Sequence, residues 1–199
     1  GGMGAYSPSR LINDVLEDKI LRKIIKPTLK GLTDMGTEYK GFLYAGLMIV
    51  EDEPYLIEYN VRMGDPECQT ILPKLETDLL EIFLACTNKT LDKTDINWIN
   101  KKSLCIVLCS NGYPEKYEKN VLINNLNKLK INENNLCFHA GTFLKNNEVF
   151  AIGGRVMNLV SLADNFTDAR ENVYEGKRRR GKLRVKINKK VRKTIKLSV

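Results

Sequence analysis

The stretch 41–69, GFLYAGLMIVEDEPYLIEYNVRMGDPECQ, constrains this chain more than any other. It reads as two strands, 42–50 and 55–62, joined over Glu51-Asp52-Glu53-Pro54, and then the start of a helix. In the second strand Glu58, Asn60 and Arg62 recur every two residues. Side chains alternate across a strand, so the three share one face, and Tyr55, Ile57, Tyr59 and Val61 form an apolar face opposite. Successive Cα atoms on the polar face stand about 7 Å apart. Glu58 and Asn60 can therefore lean onto one hard cation, which takes oxygen ligands. Arg62 follows one step on, placed to hold an anion. The plainer alternative is a half-exposed antiparallel strand with a polar outer face.

The next residues weigh toward a site. In Gly64-Asp65-Pro66-Glu67 the aspartate can cap a helix, the proline suits its first position and the glutamate sits in its first turn. The spacing predicts a helix over 66–87, bent at Pro73. Its first amides are expected near Arg62, where they would attract an anion.

Ahead of this stretch, GGMGAYSP at 1–8 carries three glycines in four positions. Such a loop lets backbone approach a ligand closely, or it is a cloning remnant before an initiator Met3. Apolar residues at helical spacing follow over 9–35, with Pro27 expected to kink or end the helix. Residues 88–102 read as a polar linker with Trp98 as a packing anchor. A buried strand is expected over 103–109, broken by Asn111-Gly112-Tyr113-Pro114. Strands over 136–144 and 149–157 are expected around a turn at Asn146-Asn147, and a helix over 164–174. The fold class is α+β.

Charge is unevenly placed. Of 32 Lys and Arg, twelve fall in 177–199, which has no Asp or Glu; the rest holds 20 against 24 acidic residues, a balance of −4. The tail lacks aromatic residues, so it can bind polyanions only nonspecifically, and no specific nucleic-acid partner is expected. The longest apolar run, 42–50, is too short to span a bilayer, so no membrane partner is expected. The five cysteines (Cys68, Cys86, Cys105, Cys109 and Cys137) are odd in number and form no Cys-x-x-Cys pair. That pattern points to neither a disulfide framework nor zinc, and a cytoplasmic setting is expected.

Six strings resemble, in order, the C-terminal half of the phosphoribosylamine–glycine ligase family within the ATP-grasp superfamily. They are GGMGAYSP at 1–8, GFLYAGLMI at 41–49, IEYNVRMGDPECQ at 57–69, GYP at 112–114, HAGT at 139–142 and GGRV at 153–156. The resemblance implies the C-terminal part of an ATP-grasp domain over 1–92, a small α+β domain over 93–175 and an atypical basic tail over 176–199. It implies ATP-dependent joining of glycine to phosphoribosylamine through a glycyl phosphate, with Mg2+ or Mn2+. Glu58 and Asn60 match the family's metal ligands. Arg62 would stabilise the transferring phosphoryl group and Asp65 would bind the glycine ammonium. Gly2, Met3 and Gly4 would line the substrate pocket through backbone groups, which favours the ligand loop over the cloning remnant. Arg155 either holds the ribose phosphate or makes a surface pair; His139, the one histidine, reads as an interface residue.

The resemblance has two departures. A further acidic ligand, common in ATP-grasp enzymes, would fall at Gly46 and is missing. The motif pattern also breaks off after Glu175. The isolated chain is expected to need the family's N-terminal half for turnover. The alternative is an inactive fragment whose basic tail, even an accidental read-through, binds nucleic acid nonspecifically.

Overall fold

The computed structural model describes residues 2–178, so the basic tail beyond Arg178 and the expectations placed on it lie outside the described residues. Strand β1, Gly4–Ser7, comes first. Asn13 then caps α1, Asp14–Ile20, by accepting from the Leu16 amide at 2.9 Å, with Asp14 and Glu17 in the first turn. A π-helical turn, Leu21–Ile25, leads into α2, Lys26–Asp34. Pro27 therefore does not end the helix. It sits in the first turn of α2, where its missing N–H is tolerated, and the break in α-helical pattern falls just before it. The end comes at Gly36, φ +79°, whose N–H bonds Thr33 O while Thr37 N–H bonds Leu32 O, both at 2.9 Å.

Strands β2, Tyr44–Val50, and β3, Glu53–Asn60, form the expected hairpin. The turn is tighter than the four residues expected: Val50 pairs with Glu53, and only Glu51 and Asp52 lie between them, both left-handed. The predicted long helix is broken. Helix α3 covers only Glu67–Ile71 and is followed by one 3₁₀ turn, Leu72–Lys74. Helix α4, Leu79–Asn88, starts afresh with Asp78 accepting from Leu80 N at 2.7 Å. Between them Leu75 bridges to Trp98 and Glu76 N–H bonds Asn97 O. Trp98 thus anchors through its backbone, its residue remaining 48 % exposed.

Strand β4, Lys102–Cys109, is buried as expected. After β5, Val121–Leu122, each of the two long predicted strands is cut in half. The first gives β6, Asn135–His139, and β7, Thr142–Lys145; the second gives β8, Glu148–Ala151, and β9, Arg155–Ala163. The turn at Asn146-Asn147 is as predicted, with both residues left-handed. Helix α5, Phe166–Arg178, is capped by Asn165, whose side chain accepts from Asp168 N at 2.9 Å.

These elements form an α+β fold in two compact units, neither of them contiguous. Among the described residues the first takes 2–7, 65–74 and 100–178. Its four-stranded antiparallel sheet has the order β1-β4-β9-β6, and a three-stranded sheet has the order β5-β8-β7. The cuts at Ala140-Gly141 and Gly153-Gly154 send the two halves of each predicted strand to different sheets. Ile106, Leu108, Met157 and Leu159 point to one face, where Val173 of α5 completes the core. Helix α3 also packs against β4, its buried Thr70 hydroxyl donating to Pro66 O at 2.9 Å. The second unit takes residues 8–64 and 75–99. There Lys19 and Lys23 both hold Glu53, at 2.6 and 2.5 Å, and Thr28 meets the Tyr59 hydroxyl at 2.7 Å. No helix of the described residues is long and apolar enough to cross a membrane.

Candidate functional site

The second unit places Glu58 and Asn60 together. Gly46 pairs with Glu58 but its neighbour Leu47 pairs with Leu56, so Ile57 is an extra residue, a β-bulge. The bulge shifts the alternation by one. Tyr55, opposite Met48, shares a face with Glu58 and Asn60, opposite Gly46 and Tyr44; Tyr59, opposite Ala45, lies on the other. The expected apolar face of Tyr55, Ile57, Tyr59 and Val61 is therefore not formed, and Tyr55 and Ile57 stay 58 % and 63 % exposed.

Asn60 Nδ2 donates to Glu58 Oε1 at 3.2 Å. A half-turn of the amide would offer oxygen instead, so both residues can serve one hard cation. Gly46 leaves the space that the Glu58 side chain occupies: a Cβ there would stand 3.2 Å from Glu58 Cγ. Among the described residues no three His, Cys, Asp or Glu side chains gather as a metal cluster. Two oxygen donors suit magnesium when phosphate and water complete its shell. Arg62 lies two residues past the end of β3, so it does not continue the strand face, and its Nη1 donates to Met63 O at 2.9 Å.

The first unit gathers a second group. Arg155 Nη2 meets Asp65 Oδ2 at 2.6 Å; Nη1 donates to Asp65 O at 3.0 Å and to Gly2 O at 3.4 Å. The pair offered as one reading of Arg155 is thus present. Asp65 does not cap α3. Its other oxygen accepts from Gln69 Nε2 at 3.0 Å, and Pro66 stands at the cap position without a side-chain bond. With only five residues, α3 is not the anion-attracting helix that the sequence suggests. The N-terminal glycines serve close packing. A Cβ on Gly2 would meet Pro66 Cδ at 2.7 Å, and one on Gly4 would meet Cys105 O at 2.8 Å. Met3 is tied down by Val107 N–H to its carbonyl and sits 3.7 Å from the Cys109 sulfur.

Three of the quoted strings build the platform under Arg155. A Cβ on Gly141 would stand 2.6 Å from both Arg155 O and Gly153 Cα; one on Gly154 would stand 2.2 Å from the Tyr113 ring. Gly141 N–H bonds Arg155 O at 3.0 Å, while Ser110 bonds Gly154 O through its N–H and Gly153 O through its hydroxyl. A second bulge follows, since Cys109 pairs with Arg155 and Leu108 with Met157, leaving Val156 extra. Sequence reasoning missed Ser110 and Gln69. The recurring glycines were the visible signal of the platform; nothing in the residues announces the bulges. His139 Nδ1 lies 2.9 Å from Thr142 Oγ1, beside the platform string that contains both.

The buried thiols are inert. Burial pushes Cys105 up to about 12 and Cys109 up to about 11, away from the reactive thiolate. Burial, then the Asp65 charge, also raises Cys68, and burial, then Lys102, lowers Lys74.

Two family models match the chain. One describes the ATP-grasp (A) domain of phosphoribosylglycinamide synthetase and covers residues 1–68. The other describes the C domain of the same synthetase and covers residues 103–195, continuing past Glu175, where the motif resemblance breaks off. A phosphoribosylamine–glycine ligase of Agrobacterium fabrum is 42 % identical over 174 residues, 87 % of this chain and 41 % of that protein. A chloroplastic phosphoribosylamine–glycine ligase of Arabidopsis thaliana is 41 % identical over 178 residues, 87 % of this chain and 34 % of that protein. The crystal structure of a Thermotoga maritima phosphoribosylamine–glycine ligase superposes with a TM-score of 0.71 at 30 % identity, covering 89 % of this chain and 43 % of that one. The chain thus spans about two fifths of the length of the curated bacterial relative.

Proposed function

The chain belongs to the phosphoribosylglycinamide synthetase family of ATP-grasp ligases, and from that membership we propose that it carries the metal-binding strand pair of an ATP-dependent carbon–nitrogen ligase. The substrates would be ATP, glycine and phosphoribosylamine. Glycine carboxylate would attack the γ-phosphate, releasing ADP. The amine of phosphoribosylamine would then attack the glycyl phosphate and expel inorganic phosphate. The observation that carries this reading is the meeting of Glu58 and Asn60 on the face that Gly46 leaves open.

Glu58 and Asn60 would hold Mg2+ or Mn2+, which when bound offsets charge on the phosphates. Arg62, exposed just past β3, would stabilise charge on the phosphoryl oxygens. Asp65 would receive the glycine ammonium. Gly2, Met3 and Gly4 would form one wall of the substrate pocket, their close approach to Pro66 and β4 being what fixes it. In family terms residues 1–92 would be the end of the ATP-grasp domain and 93–175 the body of the C domain. The cysteines, none in a disulfide, support a reducing compartment such as the cytoplasm.

The test is an assay of the chain with ATP, magnesium, glycine and phosphoribosylamine, alone and mixed with the N-terminal part of a curated relative as a separate polypeptide. Phosphate release that requires both glycine and phosphoribosylamine is expected in the mixture and not from the chain alone. Release indifferent to glycine overturns the reading.

A further inference from the structure

We propose that Arg155, together with Gln69, is a positioning residue that acts through Asp65 to orient the acceptor for the glycine ammonium, and that it does not itself bind the ribose phosphate. This rests on the ligase reading above and deepens it.

The geometry separates the two roles. Three of the five Arg155 N–H donors are engaged: Nη2 on the Asp65 carboxylate at 2.6 Å, and Nη1 on the Asp65 carbonyl at 3.0 Å and the Gly2 carbonyl at 3.4 Å. A phosphate gripped end-on by both η nitrogens would have to displace one of these bonds. The Arg155 side chain is only 24 % exposed, whereas that of Asp65 is 46 % exposed. The carboxylate is held from both sides, Oδ2 by Arg155 and Oδ1 by Gln69. A carboxylate has about four acceptor positions, so each oxygen keeps one for an incoming ammonium. What reaches solvent is thus an oriented anion, and the cation behind it is largely covered.

The backbone beneath Arg155 is equally fixed. Gly141 N–H holds the Arg155 carbonyl, Ser110 holds both glycines before it, and the bulge at Val156 sets where its side chain leaves the sheet. Rigid support of this kind is what positioning requires, since a shift of about 1 Å at a reacting group can cost about a hundredfold in rate. The same guanidinium ties the Gly2 carbonyl to the Asp65 carbonyl, so one side chain registers the glycine-rich loop against the Asp65 loop.

The experiment measures KM separately for glycine and phosphoribosylamine in whichever preparation is active, for wild type, Arg155→Gln, Arg155→Lys, Gln69→Leu and Asp65→Asn. Arg155→Gln should raise the glycine KM about tenfold and leave the phosphoribosylamine KM within about twofold. Arg155→Lys should recover only part of the loss, because lysine lacks the planar fork. Arg155→Gln combined with Asp65→Asn should be no worse than Asp65→Asn alone. A raised phosphoribosylamine KM with normal glycine KM overturns the proposal in favour of phosphate binding. Additive losses, or two unmoved KM values, overturn it as well. Should Arg155→Gln fail to fold, Gln69→Leu decides, since it leaves the guanidinium in place and must shift the glycine KM the same way. A wild-type protein without glycine-dependent turnover overturns the ligase reading and this role together; wild-type turnover with the wrong KM shift overturns this role alone.

Discussion

Gly46 faces Glu58 directly across the hairpin, and a Cβ added to it would stand 3.2 Å from the Glu58 Cγ. The contact is tight without being impossible, so a branched side chain there would push the carboxylate aside while the strands still pair. Gly46→Val is expected to weaken Mn2+ binding about tenfold, the scale on which displaced ligand geometry acts. Titration calorimetry with Mn2+ checks this, and far-UV circular dichroism should show the hairpin retained. Unchanged Mn2+ affinity would remove Glu58 from the metal site.

Glu58→Gln tests the same ligand by charge instead of shape. The residue is exposed and its carboxylate accepts from the Asn60 amide on the same strand, so stability should change by no more than about 0.5 kcal/mol. Turnover in the complemented assay should fall about a hundredfold if a hard cation needs this carboxylate. A normal rate at saturating magnesium would count against the assignment.

Arg62→Lys separates charge from shape at the phosphoryl group. Arg62 lies past the end of β3, and among the described residues its side chain bonds the neighbouring Met63 carbonyl and no second element. Lysine keeps the charge and loses the two-pronged geometry. The rate should drop about ten- to a hundredfold with the ATP KM within about twofold. A collapse in ATP affinity with a normal rate in the bound complex would make Arg62 a nucleotide-binding residue instead.

How far the sequence shows these features depends on how local they are. Asn146-Asn147 announces a hairpin because two left-handed residues in a row suit few others, and the turn is there. Glu58 and Asn60 are two apart on one strand, and their heads do meet. The apolar partner face fails because alternation holds only while pairing is regular, and the bulge at Ile57 is a property of two strands together. The 136–144 and 149–157 runs are uniformly strand-like, so nothing in them says which half joins which sheet. That division is made by Gly141 packing backbone to backbone on Gly153. The Asp65–Arg155 pair spans 90 residues and lies beyond any local pattern.

Glu53 gives a pH dependence that can be assigned to one cluster. Hydrogen bonds from Lys19, then Lys23, hold its carboxyl down to about 2 from an ordinary 4.5. A lowered folded-state value means the contribution is complete above pH 4.5 and is lost as pH falls toward 2. Melting temperatures of wild type and Glu53→Gln measured across that window should converge as pH falls. Curves that stay parallel from neutral pH down to 2 would show that the two lysines do not stabilise the folded carboxylate.

Three glycine-to-alanine changes should move stability in opposite directions, because the same added methyl meets three different surroundings. Gly31 lies inside α2 with nothing within 4 Å of a new Cβ. Alanine there restricts the unfolded chain and suits a helix, so Gly31→Ala should stabilise by about 0.5–1 kcal/mol. At Gly154 the methyl would overlap the Tyr113 ring at 2.2 Å, and a ring on a loop can swing. At Gly141 it would strike Arg155 O and Gly153 Cα at 2.6 Å, both backbone atoms locked by Gly141's own hydrogen bonds. Gly141→Ala should therefore cost about 1–3 kcal/mol, and Gly154→Ala less. Urea denaturation of the chain and its variants measures all three. The order Gly31→Ala above wild type, then Gly154→Ala, then Gly141→Ala is expected. A Gly141→Ala protein as stable as wild type would mean that the platform beneath Arg155 is not rigid, and the positioning role would lose its support.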